Sequence, residues 1–352
     1  MIKKMLDLSP DKILVTGGAG YIGSHTVVAL MEAGFDVYVV DNLSNSNIEV
    51  LNGIEQITGK RPLFENIDCT DYVAMDKFFT KHEGIKAVIH FAASKAVGES
   101  VTVPLKYYRN NVVGFVNLLE LMPIHKVQGL VFSSSCTVYG QPDILPVDET
   151  APIKKALSPY GNTKQICENI IFDTVHANNA LKSIILRYFN PIGAHPSALI
   201  GELPNGVPNN LVPFVVQTAA GVYKKIRIFG DDYNTPDGTC IRDYINVMDL
   251  AEAHVSAVKR LIDKDLTMPE VFNLGTGKGL SVMELIKTFE AVTGMRVPYE
   301  IVGRREGDIE QVWANPTLAQ KVLKWKAKTS VEDTLASAWR WQQHCMEAKN
   351  DK

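Results

Sequence analysis

Three glycines, Gly17, Gly20 and Gly23, join a short β-branched run, Ile13–Val15, to a segment, Tyr21–Ala33, whose apolar residues Ile22, Val27, Leu30 and Met31 recur at helical spacing. No other feature restricts the fold of this chain so strongly. A strand that turns through glycines straight into a helix is the opening unit of a dinucleotide-binding βαβ fold. One glycine permits the tight turn, another lets backbone N–H groups approach a pyrophosphate, and the third lets helix and strand pack closely. The spacing here is GxxGxxG, and Gly18 also completes a GxGxxG. The helix N-terminus adds positive potential for the phosphates.

Gly34 stops the helix, and Asp36–Val40 reads as the second strand, leading into Asp41. An acid at the end of that strand accepts ribose hydroxyls and repels a 2′-phosphate. The following stretch, Asn42 to Asn47, offers no Lys or Arg to hold such a phosphate, so the expected cofactor is NAD rather than NADP. Tyr21, Ile22 and Asn42 lie in these turns and are included among the cofactor contacts. Asp68 follows a weakly extended segment, Pro62–Asn66, and is placed to accept from an adenine amino group. Cys69, beside it, is counted with the cofactor-lining residues, although packing is its plainer role.

The alternation continues. Glu49–Thr58 and Met75–His82 read as helices, Ala87–Phe91 as a strand, Pro104–Met122 as a long helix, Leu130–Ser133 as a strand, Tyr160–His176 as a helix and Ser183–Arg187 as a strand. This rhythm predicts an α/β fold, a Rossmann-type doubly wound parallel sheet with helices on both faces. Beyond Arg187 the pattern loosens into a Pro- and Gly-rich stretch, Pro191–Pro213. Helices then follow near Leu211–Gly221, Val247–Leu261, Ser281–Val292 and Val331–Met346, with strands at Lys225–Phe229 and Val271–Leu274. The division expected is a cofactor domain over 1–190, with about 242–274 a candidate to return to it, and a smaller α/β substrate-binding domain over 191–352.

The 352 residues suffice for a large core, with 46% hydrophobic and 21% charged residues. The 36 Lys and Arg against 39 Asp and Glu leave a net charge of −3, which gives no general footprint for nucleic acid or an anionic membrane. The five cysteines form no CxxC pair, as expected of free thiols in a reducing compartment. Met1–Asp7 lacks an apolar signal core, and no run of about 20 apolar residues spans a bilayer. A cytoplasmic protein is expected. His25, His90, His195 and His254 lack metal-ligand spacing, and no metal is expected.

Tyr160 and Lys164 are one helical turn apart on one face. A tyrosine with its usual pKa near 10 is a poor base; a neighbouring ammonium favours the phenolate and a positively charged nicotinamide pushes the same way, so a lowered tyrosine pKa is expected. Ser135 follows the strand Leu130–Ser133, whose carboxyl end lies on the ligand side of such a sheet. Its hydroxyl can bond a substrate oxygen, and Thr137 can share that role.

Ser135, Tyr160 and Lys164 behind the glycine turn and Asp41 resemble the extended short-chain dehydrogenase/reductase family. Longer blocks resemble its UDP-glucose 4-epimerases: Thr16–His25, His90–Ala93, Ser94–Ser100, Leu186–Pro191, Pro208–Leu211, Arg242–Tyr244 and Arg304–Asp308. They run in family order over nearly the whole chain. The resemblance implies that Tyr160 takes the proton of the sugar 4-hydroxyl while hydride passes from C4 to NAD. The 4-keto sugar then rotates, and hydride returns to the opposite face. Lys164 would also hold the nicotinamide ribose, and Ser135 the 4-oxygen. Phe91, Ala92 and Lys95 would line the cofactor, with Asn110 and Tyr188 at the cofactor or its nicotinamide end. Asn190, Asn209, Asn210 and Leu211 would contact sugar and diphosphate, Phe229 the uracil, Arg242 and Arg305 the diphosphate, and Asp308 the uridine ribose. A homodimer through the two long helices is implied as well.

Four positions bear on which member of the family this is. Related nucleotide-sugar 4,6-dehydratases carry an acidic pair after the Ser135 strand, which Cys136 and Thr137 cannot supply, so dehydration is disfavoured. Asn246 stands where the epimerase pattern has His. Val312 stands where some relatives carry a bulky tyrosine beside the sugar 2-substituent. Valine lacks that ring, which extends the expected substrates to UDP-GlcNAc and UDP-GalNAc, unless Val312 simply packs. A net oxidoreductase and a non-catalytic NAD sensor remain the competing readings.

Overall fold

The computed structural model describes residues 10–178, 180–305 and 308–350. Six strands alternate with helices along the first half: β1 (Lys12–Thr16), β2 (Asp36–Asp41), β3 (Leu63–Asn66), β4 (Ile85–His90), β5 (Gly129–Ser135) and β6 (Lys182–Tyr188). They stand in the order β3-β2-β1-β4-β5-β6, and a seventh strand, Glu270–Leu274, pairs with β6 at the edge. Every pairing in this sheet is parallel. The chain winds outward in both directions from β1 and β4, which makes their carboxyl ends the switch point where ligands bind. The doubly wound α/β expectation holds.

The pleat divides the core between two faces. Ile13, Val15, Ala87, Ile89, Val131, Ile184 and Leu186 face one side with Val27, Val28 and Leu30 of α1 (Tyr21–Glu32) and Leu250 of the Val247–Asp263 helix. The intervening Leu14, Val88, Leu130, Phe132 and Ile185 face the other side. There they meet Phe78 and Phe79, Phe115 and Leu118, and Cys167 and Ile171. Cys69 lies in this second cluster. A third core gathers Val212, Val215, Ile226, Leu285, Phe289 and Leu335. It is built by the helices Leu211–Ala219, Val282–Thr293 and Val331–Asn350.

Several elements differ from the sequence reading. The long helix runs from Pro104 to Ile124 but is π-wound over Tyr108–Val113, a distortion common near functional sites. Short helices at Val97–Thr102 and Thr317–Val322 were not anticipated. Nor were the strands Asn190–Ile192 and Tyr244–Asn246, which pair with each other, or Ile241–Arg242, which is flanked by Leu280–Ser281 and Gln311–Val312. Strands of two or three residues are too short to display a period of two.

Asn246 now has an account. Its side-chain oxygen accepts from the N–H groups of Met248 (2.7 Å) and Asp249 (3.4 Å), capping the Val247–Asp263 helix. Its amide donates to Thr334 Oγ1 at 3.0 Å. Asparagine is among the best N-caps, and the cap ties this helix to the C-terminal one. His25, His90 and His254 are fully buried, and burial pulls each well down, to about 4, 3 and 4. The first and last donate through Nδ1 to the carbonyls of Tyr21 and Leu250. Among the described residues no three His, Cys, Asp or Glu side chains gather as a metal would require, and no helix is long and apolar enough to cross a membrane.

The glycine turn fixes α1 on the sheet. Gly17 has φ of +72° and donates its N–H to the Val40 carbonyl at 2.7 Å. A Cβ at Gly23 would lie 2.2 Å from the Gly17 oxygen, so the helix sits as close to the turn as a glycine allows. Gly23→Ala is expected to force the helix outward and to lower stability by about 1–3 kcal/mol, the usual cost of overpacking. Chemical denaturation checks this, and an unchanged midpoint contradicts so close a contact.

Candidate active site

At the switch point, Gly20 caps α1 without any side-chain hydrogen bond. The N–H groups of the first helical turn have no intrahelical acceptor, so they remain available to an anion. Ala92 closes the other side of the turn, its backbone N only 2.7 Å from where a Gly17 Cβ would stand. Phe91 donates its N–H to the Thr16 carbonyl and rests against the His254 ring at 4.7 Å. Ile22 packs into the core below, and Tyr21 Oη donates to the Gly193 carbonyl at 2.7 Å.

Asp41 ends β2 with its carboxylate 8% exposed. It accepts from the N–H groups of Ala19 (3.1 Å) and Leu43 (2.9 Å) and from Ser46 Oγ. The acid therefore braces the glycine turn itself. Asp68 accepts from Asn42 Nδ2 at 2.8 Å and from Thr70. Burial opposes its charge, yet these hydrogen bonds outweigh burial and hold its carboxyl below the usual range. Burial pushes the Cys69 thiol up to about 12, as befits a packed, unreactive group.

The Tyr160 helix spans Pro159–Ala177, with Pro159 at its first position and Ser158 capping it through the Gly161 N–H at 3.1 Å. Tyr160 and Lys164 are both buried beneath it. Lys164 Nζ donates to the Ser133 carbonyl at 2.7 Å and lies 6.0 Å from the Tyr160 ring centre. Ser135 ends β5, and its Oγ accepts from the Thr137 N–H at 3.2 Å. Tyr188, opposite Ser135 in the β5–β6 register, shares a 2.5 Å hydrogen bond with Ser133 Oγ.

One expectation is corrected here. Burial, followed by the neighbouring Tyr188, raises the Tyr160 phenol above its ordinary value, with the Ser135 hydroxyl acting the other way. Burial also brings Lys164 down to about 8. Spacing puts the two groups on one helical face, but the ammonium is aimed at a carbonyl, and desolvation of the phenolate prevails. Burial thus works against the phenolate, and the Lys164 ammonium does not offset it. Thr137 Oγ1 is buried and has no hydrogen-bond partner among the described residues.

The remaining candidates fall into two groups. Arg242 and Arg305 converge on Asp308: Nη2 of Arg242 is 3.8 Å from Oδ1, and the Arg305 fork reaches both carboxylate oxygens, at 2.5 and 3.2 Å. The Arg305 guanidinium lies 5.5 Å from the centre of the half-exposed Phe229 ring. Lys95 and Asn210 converge instead on Glu202, at 3.4 and 2.6 Å. Asn210 caps the helix that Leu211 opens, with Asn209 exposed just before it. Asn190 opens its short strand and donates its N–H to the Asp243 carbonyl. Val312 is 2% exposed and packs with Val138, Tyr139, Phe189 and Ala314. Glu306 and Gly307 of the Arg304–Asp308 block lie outside the described residues.

Two residues escaped the sequence reading. Asn111, next to Asn110 in the π-wound turn, accepts from the Ser94 N–H, from Asn110 and donates to the Ser94 carbonyl and to Thr163 Oγ1. It ties the loop after β4 to the Tyr160 helix. An amide pair inside an apolar helix was its only signal. Glu168 makes a buried ion pair with Arg187 and had no local signal at all.

A strand end bearing Ser135 beside a buried Tyr-Lys pair, next to an uncapped helix behind a glycine turn, can be compared with known proteins. The GDP-mannose 4,6 dehydratase family model matches residues 14–338. UDP-glucose 4-epimerase of Bacillus subtilis is 52% identical over 94% of this chain and 96% of its own length. The human UDP-glucose 4-epimerase is 47% identical, again over 94% and 96%. The chain belongs to the UDP-glucose 4-epimerase family. Solved members superpose closely. The Stenotrophomonas maltophila epimerase, with bound NAD and formylated UDP-arabinopyranose, is 48% identical with a TM-score of 0.93, covering 96% of this chain and 99% of that one. The Bifidobacterium longum epimerase, in complex with NAD+ and UDP, is 45% identical with a TM-score of 0.91, covering 95% and 98%.

Proposed function

We propose that this protein is an NAD-dependent UDP-glucose 4-epimerase, an isomerase that interconverts UDP-glucose and UDP-galactose. The observation that carries this reading is the meeting of Ser135, Tyr160 and Lys164 at the carboxyl end of β5, in a chain about half identical to epimerases along nearly its whole length. The dehydratase name of the broader family model does not transfer, because Cys136 and Thr137 follow Ser135 where an acid pair would be needed.

The residues fit NAD. The N-terminus of α1, free of any side-chain cap, suits the pyrophosphate, and Gly17 and Gly23 let the turn and the helix close up behind it. Asp41 and Asp68 would serve the adenosine, Asn42, Phe91, Ala92, Lys95 and Asn110 would line the cofactor, and Tyr188 and Lys164 would meet its nicotinamide end. When bound, NAD supplies the reversible hydride store and, while oxidised, a positive ring charge. Tyr160 takes the proton of the 4-hydroxyl as the C4 hydride departs, and gives it back when hydride returns to the other face. Lys164 adds positive charge beside Tyr160. Ser135 and the unpartnered Thr137 hydroxyl orient the 4-oxygen. Arg242 and Arg305 suit the diphosphate, since guanidinium forks match phosphate oxygens, and Phe229 and Asp308 suit the uridine. Asn190, Asn209, Asn210 and Leu211 line the remaining path to the sugar.

The cofactor domain in this reading spans 1–190 plus the returning segment of about 242–274, and the remainder clasps the nucleotide sugar. Leu105, Val101 and Val113 on the helical stretch from Val97 onward, and Phe172 on the Tyr160 helix, expose apolar surface. They support a homodimer through these helices. The absence of any CxxC pair among the five cysteines and the modest net charge support a cytoplasmic setting.

Tyr160→Phe is expected to lower kcat by about 10²–10⁴-fold, the usual worth of a positioned acid–base group, while NAD remains bound. Conversion of UDP-galactose to UDP-glucose without added NAD is the assay. A variant with wild-type turnover sinks the assignment, and a wild type that needs added NAD in proportion to product favours net oxidation. Val312 itself is packed in the core, and the ground for a second substrate pair is that no aromatic ring stands at that position. UDP-GalNAc is expected to be epimerised alongside UDP-galactose, followed by chromatography of the sugar nucleotides. Fast UDP-galactose turnover with no detectable UDP-GalNAc turnover removes this extension.

A further inference from the structure

Glu168 and Arg187 stand out in an interface that is otherwise apolar. Their side chains are 5% and 6% exposed, and they meet as a two-pronged fork, Nε to Oε1 at 3.0 Å and Nη2 to Oε2 at 2.6 Å. Ser134 Oγ donates to the same Oε1 at 2.5 Å. Arg187 Nη1 donates to Tyr139 Oη at 3.0 Å, and that hydroxyl donates to Asn273 Oδ1 at 2.7 Å. One network thus joins the Tyr160 helix, β5, β6, the turn after Ser135 and the edge strand.

We propose that Glu168 is a positioning residue for the epimerisation, setting the helix that carries Tyr160 and Lys164 against the strand ends that carry Ser135 and Tyr188. The inference rests on the epimerase reading above. Ser134 and Arg187 are directly paired in register, on the face where Phe132 and Ile185 pack against Cys167 and Ile171. Apolar contacts are non-directional and leave a helix free to slide or roll by fractions of an ångström. Hydrogen-bond geometry does not. Each anchor is the chain neighbour of a site residue: Ser134 of Ser135, Arg187 of Tyr188, with Glu168 one turn beyond Lys164. Glu168 also opposes the burial that pulls Lys164 down, which helps keep a cation beside Tyr160. Buried ion pairs replaced by apolar residues of similar volume are often no less stable proteins, so stability alone does not explain why one is here.

The decisive variant is the double substitution Glu168→Leu with Arg187→Met, which leaves no buried unpaired charge. Its thermal midpoint is expected to stay near that of the wild type, with NAD content and KM for UDP-galactose little changed, because neither residue touches Arg242, Arg305 or Asp308. Its kcat is expected to fall by about 10²-fold, the effect of a misplacement of about 1 Å. A folded double variant with wild-type kcat overturns the inference. Should the double variant fail to fold, Arg187→Lys, which keeps the charge of the pair but not the two-pronged fork, decides: lowered kcat at unchanged KM supports the role, and wild-type kcat overturns it. A wild type that does not epimerise defeats the underlying reading instead.

Discussion

The close approach of the α1 helix at Gly23 to the carbonyl of Gly17, which leaves no space for a Cβ, is the constraint on which the rest depends. It seats α1 directly behind β1, so that the uncapped helix N-terminus opens at the switch point of the sheet. Asp41 then locks the turn from the side, taking the Ala19 N–H while ending β2. Because all seven strands run parallel, the ends of β4, β5 and β6 reach the same rim. Phe91, Ser135 and Tyr188 therefore arrive at one place although they lie far apart in sequence.

Chemistry at that rim depends on polar groups held inside an apolar interior. Burial raises Tyr160 and lowers Lys164, so neither group is charged cheaply. That state suits a residue that must hold a proton until positive charge accumulates nearby. The cations Arg242, Arg305 and Lys95 are paired, the first two with Asp308 and the third with Glu202. Each cation thus has an acid to hold it in place, in a chain with a net charge of only −3.

Much of this was legible in the sequence because the signals are local. The glycine turn, the alternation of strand and helix, Asp41 and the Tyr160–Lys164 spacing all lie within short windows. The roles expected of Arg242, Phe229 and Asp308 rest on resemblance alone. Three things were not legible, for physical reasons. The acidity of Tyr160 depends on burial and on where the Lys164 ammonium points, neither of which spacing reveals. The strands Asn190–Ile192 and Tyr244–Asn246 are defined by a partner some fifty residues away rather than by a pattern of their own. Glu168, Arg187 and Asn111 look like ordinary polar residues of a helix or strand until the fold closes over them.

The central claim is that the hydrogen leaving C4 of the sugar is stored within the protein and returned to the same carbon. UDP-galactose deuterated at C4, converted by the purified protein, tests it most directly. The account predicts UDP-glucose that retains the deuterium at C4, with none gained from solvent when unlabelled substrate is converted in D2O. Loss of the label to water, or its appearance from solvent, would contradict a hydride held inside the site and would require a different chemistry at Tyr160.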